Sequence, residues 1–295
     1  MKCKICDSNK VSVIYHGVLK TGLLKGWTEK QYDVFQCDCC KCIWNNGYKD
    51  YDFVDFYESA EYRNRIETDI SIEAYCEKYD REVLEKLEIT GTGIFRNRVV
   101  ADVGCGGGSF IDYLSGVAKD TVAIEPSKIY RDGLKNKGHA VYAYAQQAQE
   151  DYGDSVDVVT SFDVIEHVEN PKIFLEDIYN LLKEGGHTII GTPTDYPVLR
   201  EMLGDTFNSF IFQIQHPWIF SPEAMVIMAE HVGFKEIKID YKQKYGIGNL
   251  LSWLLDATPR GDIKYDFIDA SLDAAYKKSM AVKDKCEYII MKAIK

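Results

Sequence analysis

The sequence predicts an α/β fold built on a doubly wound, mostly parallel sheet, preceded by a small cysteine-rich unit. Three observations carry this expectation. From Arg98 onward, short β-branched runs alternate with amphipathic stretches, which is the pattern of parallel strands joined by helical crossovers. A glycine-rich turn, Asp102-Val103-Gly104-Cys105-Gly106-Gly107-Gly108, follows the first of these runs and opens a helix. Six of the nine cysteines fall in the first 42 residues, so the composition changes before the sheet begins.

Taken in order, residues 1–48 are rich in cysteine and turn formers, and Val11-Ser12-Val13-Ile14-Tyr15 and Tyr32-Asp33-Val34-Phe35 read as strands of a small ribbon. Residues 49–92 are rich in Tyr, Asp and Glu. There the apolar spacing from Ile72 through Leu87 predicts helices that lead into the sheet and cover one edge. Residues 93–295 form the main domain. Its strands are Val99–Val103, Thr121–Ile124, Ala140–Tyr142, Val156–Thr160 and His187–Ile190, a Rossmann-like arrangement. A helix from Pro171 to Leu182 starts on a proline and stops at Gly185-Gly186. Phe234–Ile239 and Cys286–Met291 suit an antiparallel pair at the end of the sheet. An insertion at about 195–222 and a C-terminal lobe at about 243–280 complete the domain.

A net charge of −11 disfavours a nucleic-acid partner, because phosphate binding draws on clustered Lys and Arg. No stretch reads as a membrane span or a signal peptide, which places the expected location in the cytoplasm. The partner expected is a small molecule. The sequence leaves the oligomeric state open.

In open α/β sheets, ligands bind outside the carboxyl ends of strands, where glycines let the backbone approach closely. Gly104, Gly106 and Gly108 supply such a turn. The second strand then ends in Glu125-Pro126-Ser127, 23 residues after Asp102, where an acid can accept both hydroxyls of a ribose. This pair points to a nucleoside-containing cofactor without choosing between hydride and methyl transfer. Further on stand Val156-Asp157-Val158-Val159-Thr160-Ser161-Phe162-Asp163-Val164-Ile165-Glu166-His167-Val168 and Leu182-Lys183-Glu184-Gly185-Gly186-His187. Together with the glycine turn and Ile124-Glu125-Pro126-Ser127, these motifs resemble class I S-adenosylmethionine methyltransferases over about residues 95–195. The resemblance implies that Asp102, Gly104 and Gly106 line the methionine part of the cofactor, Glu125 holds the ribose, and Phe162-Asp163 faces the sulfonium. Cys105, Phe110, Pro126, Gln147 and His167 join the cofactor-binding candidates. Ahead of the sheet, Tyr62 and Arg63 place a cation that can bind the cofactor's carboxylate or form a surface ion pair.

Cys3-Lys4-Ile5-Cys6 and Cys37-Asp38-Cys39-Cys40 are two C-x-x-C pairs separated by 30 residues, able to wrap four thiolates around Zn²⁺. Cys39 with Cys42 is a rival register for the second pair, and free thiols in a small core are the plain alternative. Four thiolates leave no open coordination position, so the zinc is expected to be structural. The unit, ending near Trp44, resembles the one that precedes some deoxysugar C-methyltransferases. Lys41 departs from the glycine that the likeness would put after the last ligand.

His167 is suited by its pKa to take a hydroxyl proton, and it can equally serve as a structural histidine before Pro171. His216, in Gln213-Ile214-Gln215-His216-Pro217-Trp218, is a candidate base or substrate ligand on the insertion, against a helix-cap role before Ser221-Pro222-Glu223. Asp195 and Tyr196 occupy the same rim. Tyr245, Asn249 and Trp253 recur at i, i+4, i+8 and predict one helical face, read either as packing or as a sugar site. That tract resembles methyltransferases of surface-polysaccharide synthesis. The resulting expectation is O-methylation of a nucleotide-linked sugar or similar building block, a phosphorylated or phosphoramidate acceptor included. C-methylation of a keto-deoxysugar, a dehydrogenase and a non-catalytic zinc-containing binding module are the alternatives.

Overall fold

The computed structural model describes residues 1–22, 26–50, 52–59, 61–261 and 263–295. In chain order, β1 (Val11–Lys20), β2 (Trp27–Cys37) and β3 (Ile43–Asn45) are followed by α1 (Phe53–Glu58), α2 (Glu61–Ile66), α3 (Ile72–Tyr79) and α4 (Val83–Thr90). Alternation then begins with β4 (Val99–Val103), α5 (Ser109–Ser115), β5 (Asp120–Ile124), α6 (Lys128–Asn136) and β6 (Ala140–Tyr142). It continues with α7 (Ala145–Tyr152), β7 (Val156–Phe162), α8 (Pro171–Leu181) and β8 (Leu182–Pro193). The remainder is α9 (Pro197–Leu203), α10 (Asp205–Ile211), β9 (Trp218–Ile219), α11 (Pro222–Val232), β10 (Lys235–Lys242), α12 (Ile247–Asp256), α13 (Ala270–Val282) and β11 (Tyr288–Ile294).

The larger sheet has the order β10-β11-β8-β7-β4-β5-β6. Its β4–β5, β4–β7 and β5–β6 pairs are parallel. From β4 the chain winds outward through β5 and β6, then returns to the other side of β4 as β7. The switch point therefore lies between the carboxyl ends of β4 and β7, where such sheets bind ligands. All seven residues of β7 are buried, as expected of a strand covered on both faces. Asn170 caps α8 by accepting from Lys172 N–H and Ile173 N–H, and Pro171 opens the helix where no backbone donor is required.

The chain divides into two compact units. One comprises residues 48–190, 228–238 and 291–295. The other joins residues 1–47 to 191–227 and 239–290. The sequence reading had put the insertion and C-terminal lobe with the main domain, whereas here they cluster with the N-terminal ribbon. A second sheet explains the difference. Its order is β1-β2-β3-β9, with Ile43 paired to Ile219 and Trp44 to Trp218. Asn45 Nδ2 reinforces the junction by donating to the carbonyls of Gln213 (3.0 Å) and His216 (3.3 Å). No periodicity signal announces a partner of two residues so far along the chain.

Candidate functional site

The glycine turn is organised around Glu125. Its buried carboxylate accepts from Gly106 N–H (2.7 Å) on one oxygen and from Ser127 N–H (2.9 Å) on the other. Each oxygen retains a lone pair for a ligand hydroxyl. Burial raises the carboxyl's pKa, and the charge of Arg63 opposes that rise. Gly106 is left-handed at φ +59, and a Cβ there would stand 2.1 Å from Tyr75 Oη. At Gly104 a Cβ would stand 2.3 Å from Val164 Cγ2, so this glycine is required by protein packing.

Arg63 is the cation whose charge acts on Glu125 most strongly. Its guanidinium lies 5.0 Å from the Tyr62 ring centroid, 4.9 Å from Tyr75 and 5.4 Å from Tyr130. Such ring faces attract a cation, more so when it is desolvated. Arg63 Nε is buried without a hydrogen-bond partner, an orphaned donor on a charged group. Burial pushes the Tyr62 phenol up to about 12, which keeps it neutral beside the cation. The sequence reading missed Tyr75 and Tyr130 as members of this cage. For Tyr75 the one available signal was the density of tyrosine in residues 49–92, and for Tyr130, on α6, there was none.

Asp102, one residue before the end of β4, is buried and accepts from Thr160 Oγ1 at 2.7 Å. Its pKa is raised to about 6 by burial, against the opposing charge of Lys86. Lys86 Nζ stands 5.7 Å from the Phe110 ring centroid and 5.4 Å from that of Phe162. Phe110 is itself packed edge-on to Phe95 and Phe162 and is only 2% exposed, so it is a core ring under the site. Cys105 is buried in the cluster of Ile111, Ala123, Tyr130 and Leu134. The Pro126 carbonyl accepts from Arg131 (2.6 Å). Gln147 accepts from Ala143 N–H (3.1 Å), which ties its side chain to the start of α7.

At the end of β7, Asp163 is exposed and left-handed at φ +56. A non-glycine residue there stores backbone strain, a feature that concentrates at functional sites. His167 Nδ1 is 2.8 Å from Tyr57 Oη, and its ring meets Tyr57 and Tyr62 edge-on. Tyr57 therefore fixes the orientation of the imidazole. Sequence reading found the histidine and missed its partner.

Four cysteines converge in the other unit. The sulfurs of Cys3, Cys6, Cys37 and Cys40 all lie within 4.8 Å of one another, with Cys3–Cys40 at 3.6 Å and Cys6–Cys37 at 3.5 Å. A tetrahedron with Zn–S bonds of about 2.3 Å has edges of about 3.8 Å, so the set fits such an ion. The two turns repeat one geometry. Asp7 N–H donates to Cys3 C=O and Cys3 N–H to Ser8 C=O, while Lys41 N–H donates to Cys37 C=O and Cys37 N–H to Cys42 C=O. Asp7 and Lys41 both have φ +59, which explains why a glycine would suit position 41. The rival register is not adopted, because Cys39 is exposed beside Ser8 and Cys42 is turned toward the Ile43 carbonyl.

The expected substrate residues are dispersed differently from the helical-face reading. The helix α12 begins at Ile247, so Tyr245 precedes it and cannot share a helical face with Asn249 and Trp253. Trp253 is 2% exposed and meets Phe207 and Phe210 edge-on at 4.9 and 4.8 Å. Its ring is a core element, not an open platform for a sugar. Asp195 pairs with Arg200 at 3.1 Å. His216 is half-buried, with its carbonyl accepting from Asn45. Tyr196 and Asn249 do come together, in a cavity shared with Gln243, Tyr276, Lys285 and Glu287.

A family model described as a methyltransferase domain matches residues 73–239. The ubiquinone biosynthesis O-methyltransferase of Aliivibrio fischeri is 31% identical over 107 residues, 34% of this chain and 45% of that protein. This chain thus spans less than half of that relative's length. The protein of the same name from Ruegeria pomeroyi is 25% identical over 182 residues, covering 58% of this chain and 71% of its own. Among solved structures, Haemonchus contortus phosphoethanolamine N-methyltransferase 2 in complex with S-adenosyl-L-methionine aligns with 83% of this chain and 60% of its own. That alignment has a TM-score of 0.49 at 15% identity.

Proposed function

This chain belongs to the methyltransferase-domain family; from that premise we propose that it is an S-adenosylmethionine-dependent methyltransferase that methylates a hydroxyl oxygen of a small polar acceptor, with a nucleotide-linked sugar as the acceptor class. Oxygen is favoured by the similarity to ubiquinone biosynthesis O-methyltransferases. The sugar class rests on the sequence resemblance of the C-terminal tract to methyltransferases of surface-polysaccharide synthesis, and not on a helical sugar-stacking face. A cytoplasmic location accords with both, and no helix among the described residues is long and apolar enough to cross a membrane.

One observation carries the cofactor half of this reading. A carboxylate held by two backbone N–H groups lies beside a caged guanidinium with an orphaned donor. Glu125 would accept the ribose hydroxyls, and Arg63 would meet the cofactor's carboxylate through charge-assisted hydrogen bonds. S-adenosylmethionine, when bound, supplies an activated methyl on a sulfonium. The protein's task is then alignment of the nucleophile and removal of its proton. His167, whose Nδ1 lies 2.8 Å from the Tyr57 hydroxyl, is the imidazole we assign to accept that proton. The new bond is C–O, the bond broken is S–C, and the hydroxyl proton passes to the imidazole. Zinc held by Cys3, Cys6, Cys37 and Cys40 would be structural and outside this chemistry.

The test is calorimetric titration with S-adenosylhomocysteine. Wild type is expected to bind, and Arg63→Met to bind at least about tenfold more weakly, the loss of one charge-assisted contact. Absence of binding by wild type at millimolar nucleoside would end the proposal. Incubation of candidate acceptors with S-adenosylmethionine, read by mass for a gain of one CH₂, addresses the acceptor.

A further inference from the structure

The cavity formed by Tyr196, Gln243, Asn249, Tyr276, Lys285 and Glu287 is not used by the chemistry described above. At about 10 Å³ it holds roughly one water-sized group. It lies at the start of α12, between the N-terminal end of α9, the loop before β11 and α13. Three of its polar residues, Gln243, Asn249 and Glu287, are more than nine-tenths buried. Burying a carboxylate and two amides around so small a space is costly, and their arrangement states what the space accepts.

The donors and acceptors can be assigned. Glu287 Oε1 accepts from Tyr245 N–H at 2.6 Å, and Oε2 accepts from Gln243 Nε2. Each oxygen keeps a second lone pair. Asn249 Oδ1 is engaged by Arg260 N–H at 3.2 Å, which leaves its amide N–H groups as donors at the cavity wall. The Tyr276 hydroxyl can donate or accept, and Lys285 stands at the exposed rim. An ammonium group would meet the Asn249 donors and the Lys285 charge. A phosphate or carboxylate would meet Glu287. A neutral hydroxyl satisfies both sides at once, donating to Glu287 and accepting from Asn249.

We propose that this cavity is a hydroxyl-recognition subsite in which Glu287 and Asn249 bind one hydroxyl of a small neutral polyol. The raised Glu287 pKa, about 7 through burial, agrees with a carboxyl held in a dry site awaiting a donor.

The test compares ethylene glycol, ethylammonium and acetate as probes on the full chain labelled with 3-fluorotyrosine and saturated with S-adenosylhomocysteine. Fluorine resonances are assigned with Tyr276→Phe and Tyr196→Phe. Ethylene glycol is expected to shift the Tyr276 signal saturably, with a midpoint at least about threefold lower than for either charged probe. Asn249→Leu should abolish the shift, and Glu287→Gln should weaken it, while nucleoside binding stays at the wild-type value. A stronger response to ethylammonium or acetate, or no saturable response to the diol, overturns the subsite. Either result leaves the methyltransferase reading standing, which fails separately if the nucleoside itself does not bind.

Discussion

Replacing Glu125 by Gln tests the centre of the proposed cofactor site, and its effect can be worked from the hydrogen bonds. The carboxylate accepts two backbone N–H groups at 2.7 and 2.9 Å in a buried setting. An amide offers one oxygen, so in Glu125→Gln either Gly106 N–H or Ser127 N–H faces an NH₂ group. Leaving a buried donor unsatisfied costs about 1–3 kcal/mol. Burial disfavours the native charge, so its removal returns part of that cost. The unmet donor should still dominate, for a net loss of about 1 kcal/mol and a fall in Tm of roughly 2–4 °C. The cofactor loses more. A ribose hydroxyl donating to a carboxylate contributes about 1.5–3 kcal/mol, and the amide nitrogen cannot accept it, so Kd should rise about 10- to 100-fold. Calorimetry with S-adenosylhomocysteine and thermal unfolding monitored by fluorescence measure the two effects. A Kd within threefold of wild type, with the fold intact, would refute the assignment of Glu125 to the ribose.

Gly106→Ala should weaken nucleoside binding in the same titration. The left-handed φ of +59 costs an alanine about 1–2 kcal/mol, and its Cβ must displace Tyr75 from beside Arg63. Wild-type affinity in this variant would show that the tyrosine cage has no part in the site. If the four thiolates hold zinc as proposed, Cys40→Ser should lose the metal and destabilise the N-terminal ribbon by several kcal/mol. Plasma emission spectrometry of protein purified without chelators should find one zinc per wild-type chain and a sharp loss in the variant, and a metal-free wild type would count against the site. Glu287 gives a pH dependence. Its carboxyl is raised by burial from 4.5 to about 7, so the folded state is favoured when it is protonated. This contribution is fully present below about 4.5 and is lost as pH rises through about 7, on the order of 3 kcal/mol in all. Wild-type Tm should therefore fall from pH 5 to 8.5 relative to Glu287→Gln, and parallel profiles for the two would exclude Glu287 as the source.

Much of the sheet was readable because its signals are local. Each predicted strand from Val99 to Ile190 lies within an observed strand, and α8 ends one residue before the expected Leu182. Glu125 and the glycine turn were readable for the same reason, since a few adjacent residues carry the pattern. The tyrosine cage was not. Tyr62, Tyr75 and Tyr130 come from separate helices, and no spacing rule predicts that their rings meet around Arg63. The i, i+4, i+8 pattern at Tyr245, Asn249 and Trp253 misled because it assumed a helix running through Gly246, where the chain is extended at φ −78, ψ 176 and the helix has yet to begin. Glu287 was invisible because a carboxylate in Lys285-Cys286-Glu287-Tyr288 looks like a surface charge until its neighbours are placed.

The pairing of β3 with β9 has a consequence for synthesis. Both cysteine turns have left the ribosome once residue 42 is clear, yet the strand that completes their sheet begins at Trp218. At about 5–20 residues per second, that partner follows after an interval on the order of 10 s. During this time β3 presents an open edge, which invites pairing with another nascent chain. Early capture of metal by the four thiolates would hold the ribbon in register through that wait, so a chain starved of zinc should aggregate during translation even where the finished protein tolerates a chelator.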